Sequence, residues 1–191
     1  EAKAWAKRAI VGFECMGDVE AVLISATGCS AHLKDLPNLF AGDPAWQPRA
    51  ERFAAKVKDF AELVSPRGAE RPHRLRVAYH APCSLQHGLR ISGANETLLM
   101  AAGFEVLAVP EGHLCCGSAG SYSILQPDLS NALRDRKLAN IAATEPDVIA
   151  TANIGCLEHL SGGTPIVHVA ELLDWAEGGS EPAALHQIAR A

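Results

Sequence analysis

Apolar residues at Trp5, Ala6, Ala9, Ile10 and Phe13 recur at the spacing of one helix face, so the chain is predicted to open with a helix. Val19 to Ser25 is a short β-prone run that ends at Gly28-Cys29. Asp43-Pro44 predicts a helix start, with Pro48 restarting or bending it. Phe53, Val57, Phe60, Ala61 and Val64 then form an apolar stripe at helical spacing. Ser65 to Arg74 holds two prolines, a glycine and many charges, and reads as a linker. Beyond it, Leu75 to His80 predicts a strand followed by the turn Ala81-Pro82-Cys83. Glu96 to Ala102 predicts a helix stopped by Gly103. Phe104 to Val109 predicts a strand, and Asp128 to Ala143 a helix with Asp128 as its cap. Val148 to Thr151 and Ile166 to Val169 read as strands, and Ala170 to Glu177 as a closing helix. Strands alternating with helices across short loops predict an α/β fold, with a mostly parallel sheet flanked by helices.

The chain also repeats itself once. Val19 to Ile24 leads to Gly28-Cys29-Ser30-Ala31-His32-Leu33, and Asp147 to Ala150 leads to Gly155-Cys156-Leu157-Glu158-His159-Leu160. Each copy is a strand followed by Gly-Cys-x-x-His-Leu, and the offset is 127 residues (156 − 29). Cys83 and the Cys115-Cys116-Gly117 loop precede the second copy, and nothing equivalent precedes the first. Together with an opening at Glu1 in a helical pattern, this predicts two repeated cysteine-rich units with the first truncated. Residues 1–66 would be the remainder of the first unit, 67–74 a linker, and 75–191 the complete second unit.

Composition narrows the function. Hydrophobic residues make up 48% of 191, enough for a substantial core. A net charge of −5 gives no support for nucleic-acid binding. The basic run Arg67 to Arg76 has no interleaved aromatic residues and reads as a solvated linker. No stretch is long and apolar enough to cross a membrane, and no secretory signal is seen. Six cysteines in such a chain predict thiols in a reducing, cytoplasmic compartment rather than a disulfide framework. The adjacency of Cys115 and Cys116 agrees, since neighbours fit disulfide geometry poorly. Asn95-Glu96-Thr97 matches a glycosylation acceptor by chance.

The cysteines carry the candidate chemistry. Cys83, Cys115-Cys116 and Cys156 each sit in a loop directly after a predicted strand. In a parallel sheet such loops gather at the carboxyl edge, so four distant thiols can converge. Thiolates select zinc, copper(I) and iron–sulfur clusters over hard cations. Gly117 would let the backbone turn so that both neighbouring sulfurs face one centre. Cys15, standing alone, reads as a small buried hydrophobe. His159 lies three residues after Cys156, and His32 three after Cys29, so each pair shares a helix face. His159 could be a fifth ligand, a hydrogen-bond donor to sulfur, or a packed helix residue. His80, His87 and His113 read as surface or hydrogen-bonding residues rather than ligands. Neither a closely spaced ferredoxin run, a Walker loop nor a catalytic Ser-His-Asp pattern is present.

These motifs resemble a known family. His80-Ala-Pro-Cys83-Ser-Leu-Gln-His87-Gly88, His113-Leu-Cys-Cys-Gly-Ser-Ala-Gly120-Ser-Tyr-Ser-Ile-Leu-Gln-Pro127 and Thr151-Ala-Asn-Ile-Gly155-Cys156 have the layout of the cysteine-rich "CCG" domain. That domain occurs in heterodisulfide reductase, anaerobic glycerol-3-phosphate dehydrogenase, lactate-utilisation proteins and glycolate oxidase iron–sulfur subunits. The motifs here are most similar to those of the last, over about Val19 to Trp175. The resemblance implies metal ligation by Cys83, Cys115, Cys116 and Cys156, with Gly117 and Gly155 shaping the loops. Many members end the motif in Cys-x-x-Cys, whereas His159 stands there in this chain. That departure implies a conventional four-cysteine [4Fe–4S] centre and argues against disulfide reduction. The resemblance further implies a preceding ferredoxin-like region in the same polypeptide, and flavin-containing partner subunits that oxidise glycolate to glyoxylate. It would place the protein at the inner face of the membrane only through those partners. A structural zinc module is the rival expectation, since thiolates with a histidine suit tetrahedral zinc.

Overall fold

The structure, a computed structural model, describes residues 1–65, 68 and 74–190, with side chains to residue 186. Apart from Gly68 and Arg74, the 67–74 linker lies outside the described residues. The fold divides into two compact units, Glu1–Leu63 and Val64–Ala191.

The first unit runs α1 (Ala2–Cys15), β1 (Val22–Ile24), α2 (Thr27–Lys34), α3 (Leu36–Leu39), α4 (Gln47–Lys56), β2 (Val57–Asp59) and α5 (Phe60–Leu63). β1 and β2 pair in parallel, with Val22 opposite Val57. Ala6 and Ile10 of α1 close a core with Phe40, Ala50, Phe53 and Val57, and Phe13 packs its ring 5.2 Å from that of Phe53. Trp5, from the same predicted stripe, is 67% exposed.

Three expectations change here. The stripe from Phe53 to Val64 is not one helix. α4 stops at Lys56, Val57 to Asp59 turn extended to pair with β1, and a new helical turn begins at Phe60. Strand pairing to Val22–Ile24 outweighs local helix preference, as tertiary context commonly does. The helix expected at Asp43-Pro44 begins at Gln47. Asp43 Oδ1 instead accepts the Ala45 and Trp46 amides at 3.1 Å each, closing the preceding turn. Cys15 is exposed rather than buried, because it ends α1 on the side away from Ala6 and Ile10.

The second unit runs β3 (Arg76–His80), a single π-helical turn (Ser84–Gly88), α6 (Ala94–Ala101), β4 (Glu105–Leu107), α7 (Tyr122–Leu125) and α8 (Pro127–Ala142). It continues with β5 (Val148–Thr151), α9 (Ile154–His159), β6 (Ile166–His168), α10 (Val169–Ala176) and a 3₁₀ segment (Ala183–Arg190). The four strands form a wholly parallel sheet in the order β4-β3-β5-β6. All four β5 residues are buried, as a central parallel strand covered on both faces requires. Tyr79 of β3 receives the Asn95 amide of α6 at 2.8 Å, which also buries the matched glycosylation acceptor. On the alternate side, Ala78 and Ile149 pack with Ile141 of α8 and with Leu160. α8 begins at Pro127, so Asp128 lies in its first turn rather than at the cap. There its carboxylate still faces the positive helix end.

The connections leave β3 outward to β4, return to β5, and then run outward to β6 on the other side. The chain therefore reverses direction between β3 and β5, and a crevice opens beyond the carboxyl ends of those strands.

Candidate metal centre

Each strand that borders the crevice delivers a cysteine into it. Cys83 follows β3 and immediately precedes the π-helical turn. Cys115 and Cys116 lie in the long loop after β4, and Cys156 lies in the first turn of α9 after β5. The sulfurs meet as two close pairs. Cys83 Sγ donates to Cys115 Sγ at 3.7 Å, and Cys116 Sγ to Cys156 Sγ at 3.3 Å. Both separations far exceed a disulfide bond, and all six cysteines are free. Cys116 and Cys156 are 1% and 2% exposed, whereas Cys83 and Cys115 are half-buried.

The closeness of the sulfurs shifts the thiols in opposite directions. Hydrogen bonding to Cys115 and burial push the Cys83 thiol up, and contacts with Cys115 and Cys156 push Cys116 up. Cys115 is lowered by hydrogen bonds from Cys116 and Cys83, and by the Gly117 amide 3.3 Å from its sulfur. Cys156 is lowered by the Cys116 thiol, by the nearby His80 imidazole, and by the Asn153 amide at 3.5 Å. The four sulfurs therefore compete for their protons, and removing those protons would leave a cluster of thiolates. Such a donor set is soft, anionic and partly screened from water, which suits zinc or an iron–sulfur cluster.

The loop around the paired cysteines is fixed by its backbone. Gly117 has φ +98, and a Cβ there would lie 2.3 Å from Ser130 O and 3.1 Å from His159 Nε2. Ser130 Oγ donates to Gly117 O at 2.9 Å, so His159 Nε2, 3.2 Å from that hydroxyl, is the donor to it. His159 therefore supports the loop from behind. Gly155 is also cramped, since a Cβ would meet Ser118 Oγ at 2.7 Å.

Glu111, Arg136, Lys137 and Asn140, which the sequence did not single out, complete the surroundings together with His80, which it marked only as a surface or hydrogen-bonding histidine. Glu111, at φ 50, lies four residues before Cys115 and is gripped from α8. Arg136 binds its carboxylate, Asn140 donates to it at 2.8 Å, and Lys137 Nζ donates to its carbonyl at 2.8 Å. Lys137 is buried, and burial lowers its ammonium pKa while the neighbouring thiolates oppose that shift. His80, the last residue of β3, is buried at 2% exposure rather than at the surface. A ring nitrogen of His80 and the sulfurs of Cys116 and Cys156 lie within 4.8 Å of one another, the closest grouping of metal-binding side chains among the described residues. Its position three residues before Cys83, at the end of a buried strand, was the available signal.

Cys29 and His32 occupy the corresponding helix α2 of the first unit, and both are exposed. They belong to no grouping of three metal-binding side chains among the described residues. His87 Nε2 lies 3.4 Å from the His113 carbonyl, and neither imidazole joins the sulfurs. No helix among the described residues is long and apolar enough to cross a membrane.

Comparison with known proteins matches a family model to the cysteine-bearing segment and relatives to most of the chain. The family model described as "CCG: Cysteine-rich domain" matches residues 77–161. The "Glycolate oxidase iron-sulfur subunit" of Escherichia coli is 36% identical over 162 residues, covering 82% of this chain and 40% of that protein. The "Probable glycolate oxidase iron-sulfur subunit" of Bacillus subtilis is 36% identical over 194 residues, with coverages of 92% and 43%. "Lactate utilization protein A" of Geobacillus kaustophilus is 32% identical over 188 residues, with coverages of 91% and 77%. The chain thus spans 40% and 43% of the length of the first two proteins and 77% of the third.

Proposed function

The chain belongs to the cysteine-rich (CCG) domain family, and from that premise we propose that it is an iron–sulfur electron-transfer module. In this reading Cys83, Cys115, Cys116 and Cys156 hold one [4Fe–4S] cluster. The observation that supports it most directly is the meeting of four free thiols at one sheet edge, from three separate loops. Such a cluster supplies one-electron chemistry when bound. The chain's own residues contribute the thiolates, exclude water around Cys116 and Cys156, and hold the loop through Gly117, Ser130 and His159.

The electrons come from oxidation of a 2-hydroxy acid on a flavin-containing partner subunit, with glycolate converted to glyoxylate. Two of the relatives are named glycolate oxidase iron–sulfur subunits, which favours glycolate. Several are named Lactate utilization protein A, which makes lactate the second substrate. The substrate reacts at the flavin, so this chain needs no proton-transfer residue of its own. Residues 1–66 and 75–191 are two versions of one unit in this reading. In support, β1 leads into α2 with Cys29 and His32, as β5 leads into α9 with Cys156 and His159.

One observation favours zinc instead. The ligand atoms of His80, Cys116 and Cys156 are compact enough to serve a single ion. Metal and acid-labile sulfide analysis on protein purified without oxygen decides between the two. About four irons and four sulfides per chain support the cluster. Zinc without sulfide would replace electron transfer with a structural role.

A further inference from the structure

His80 ends β3 and Thr151 ends β5, and the two are paired across the sheet. Both are buried, at 2% and 0% exposure, yet His80 Nε2 and Thr151 Oγ1 have no hydrogen-bond partner among the described residues. Buried polar atoms are ordinarily paired, so an unpartnered Nε2 and Oγ1 side by side, on a histidine whose ring already lies beside the Cys156 sulfur, mark donors with capacity to spare at the cysteine cluster. Strand alternation says where those donors lie. His80 shares a face with Ala78, and Thr151 with Ile149, two residues earlier in each strand. Ala78 and Ile149 pack against Cys116 and Cys156. The imidazole and the hydroxyl therefore lie on the sulfur side of the sheet, with a ring nitrogen of His80 within 4.8 Å of both buried sulfurs.

We propose that His80, through an imidazole N–H, and Thr151, through its hydroxyl, donate hydrogen bonds to sulfur of the bound iron–sulfur cluster and raise its reduction potential. The inference rests on the cluster reading above and assigns these two side chains as positioning residues. Four cysteines already provide one protein ligand per iron of a cubane, so a histidine beside them has no iron left to bind. What it can still do is donate. Reduction adds negative charge to the cluster sulfurs, and a hydrogen bond to sulfur stabilises the reduced form more than the oxidised form. Loss of either donor then lowers the potential without removing iron.

The test combines iron and sulfide content with the midpoint potential from an anaerobic redox titration, on the wild type and on His80→Phe, His80→Gln and Thr151→Val. A wild type without iron and sulfide refutes the cluster reading itself, before any variant is compared. With an iron-replete wild type, His80→Phe and Thr151→Val are expected to keep their iron and shift to more negative potential. His80→Gln, which retains an N–H donor, is expected to return part of the way. Thr151→Val keeps the side-chain shape, so it still decides the matter if His80→Phe does not fold. Unchanged potentials in iron-replete variants would overturn the inference. Iron loss from His80→Phe and His80→Gln as deep as that from Cys116→Ser would also overturn it, by making His80 a ligand.

Discussion

Replacing Gly117 by alanine places a methyl group where the structure has no room for one. At φ +98 an L residue lies beyond the ordinary left-handed region, which costs about 2 kcal/mol. The new Cβ would also sit 2.3 Å from Ser130 O, a backbone atom of α8 that cannot rotate away. Relieving that clash requires the loop to shift from the helix. The shift breaks the 2.9 Å bond from Ser130 Oγ to Gly117 O and disturbs packing, for roughly another 2 kcal/mol or more. A loss of about 4 kcal/mol is a large share of a typical domain's 5–15 kcal/mol. It predicts a fall in Tm of roughly 10 °C or more, and displacement of Cys115 and Cys116 with loss of bound iron. Gly120→Ala is the matched control. It has φ +56 with nothing within 4 Å of its Cβ, so only a backbone cost of about 1 kcal/mol applies. Thermal melts followed by circular dichroism, with iron analysis, compare the two. If Gly117→Ala melts within about 2 °C of Gly120→Ala and holds equal iron, the reasoning fails, because the loop is then not fixed by that contact.

Cys116→Ser is expected to lose most bound iron, whereas Cys15→Ser and Cys29→Ser, both at exposed positions, keep it; equal iron in all three refutes the site. Lys137→Met removes a buried cation from the Glu111 carbonyl and is expected to cost about 1–3 kcal/mol, read as a lowered Tm. Arg136 and Asn140 hold the Glu111 carboxyl down to about 2, below the ordinary value near 4.3. The native pKa is the depressed one, so the clamp's stabilisation is complete above the unfolded value and fades as pH falls toward 2. Glu111→Gln should therefore melt below the wild type at pH 7, with the gap narrowing between pH 4.5 and pH 3; a constant gap across that range contradicts the assignment.

Much of the second unit could be read in the sequence because its signals are local and strong. Val148 to Thr151 is a short apolar run that starts directly after Asp147, and the cysteines follow strand ends where a parallel sheet collects its loops. Other features have no local signature. Val57 to Asp59 is a strand of three residues, too short for alternation to show, and its apolar neighbours happen to fall at helical spacing. α8 buries Ser130, Lys137 and Ile141, so its inward face is partly polar and its partners are loop carbonyls that no periodicity announces. His80 escapes a sequence reading because a histidine near a motif is ambiguous in one dimension. Only the pairing of β3 with β5 sets it beside Thr151 and under the sulfurs.

The burial of the four cysteines is uneven, and that gives the site a dry side and a wet side. Cys116 and Cys156 face protein, while Cys83 and Cys115 reach toward solvent. Tunnelling falls off steeply with distance, so a cluster held there would exchange electrons fastest through the Cys83–Cys115 edge. Dioxygen would use the same edge, so oxidative damage should begin at Cys83 and Cys115.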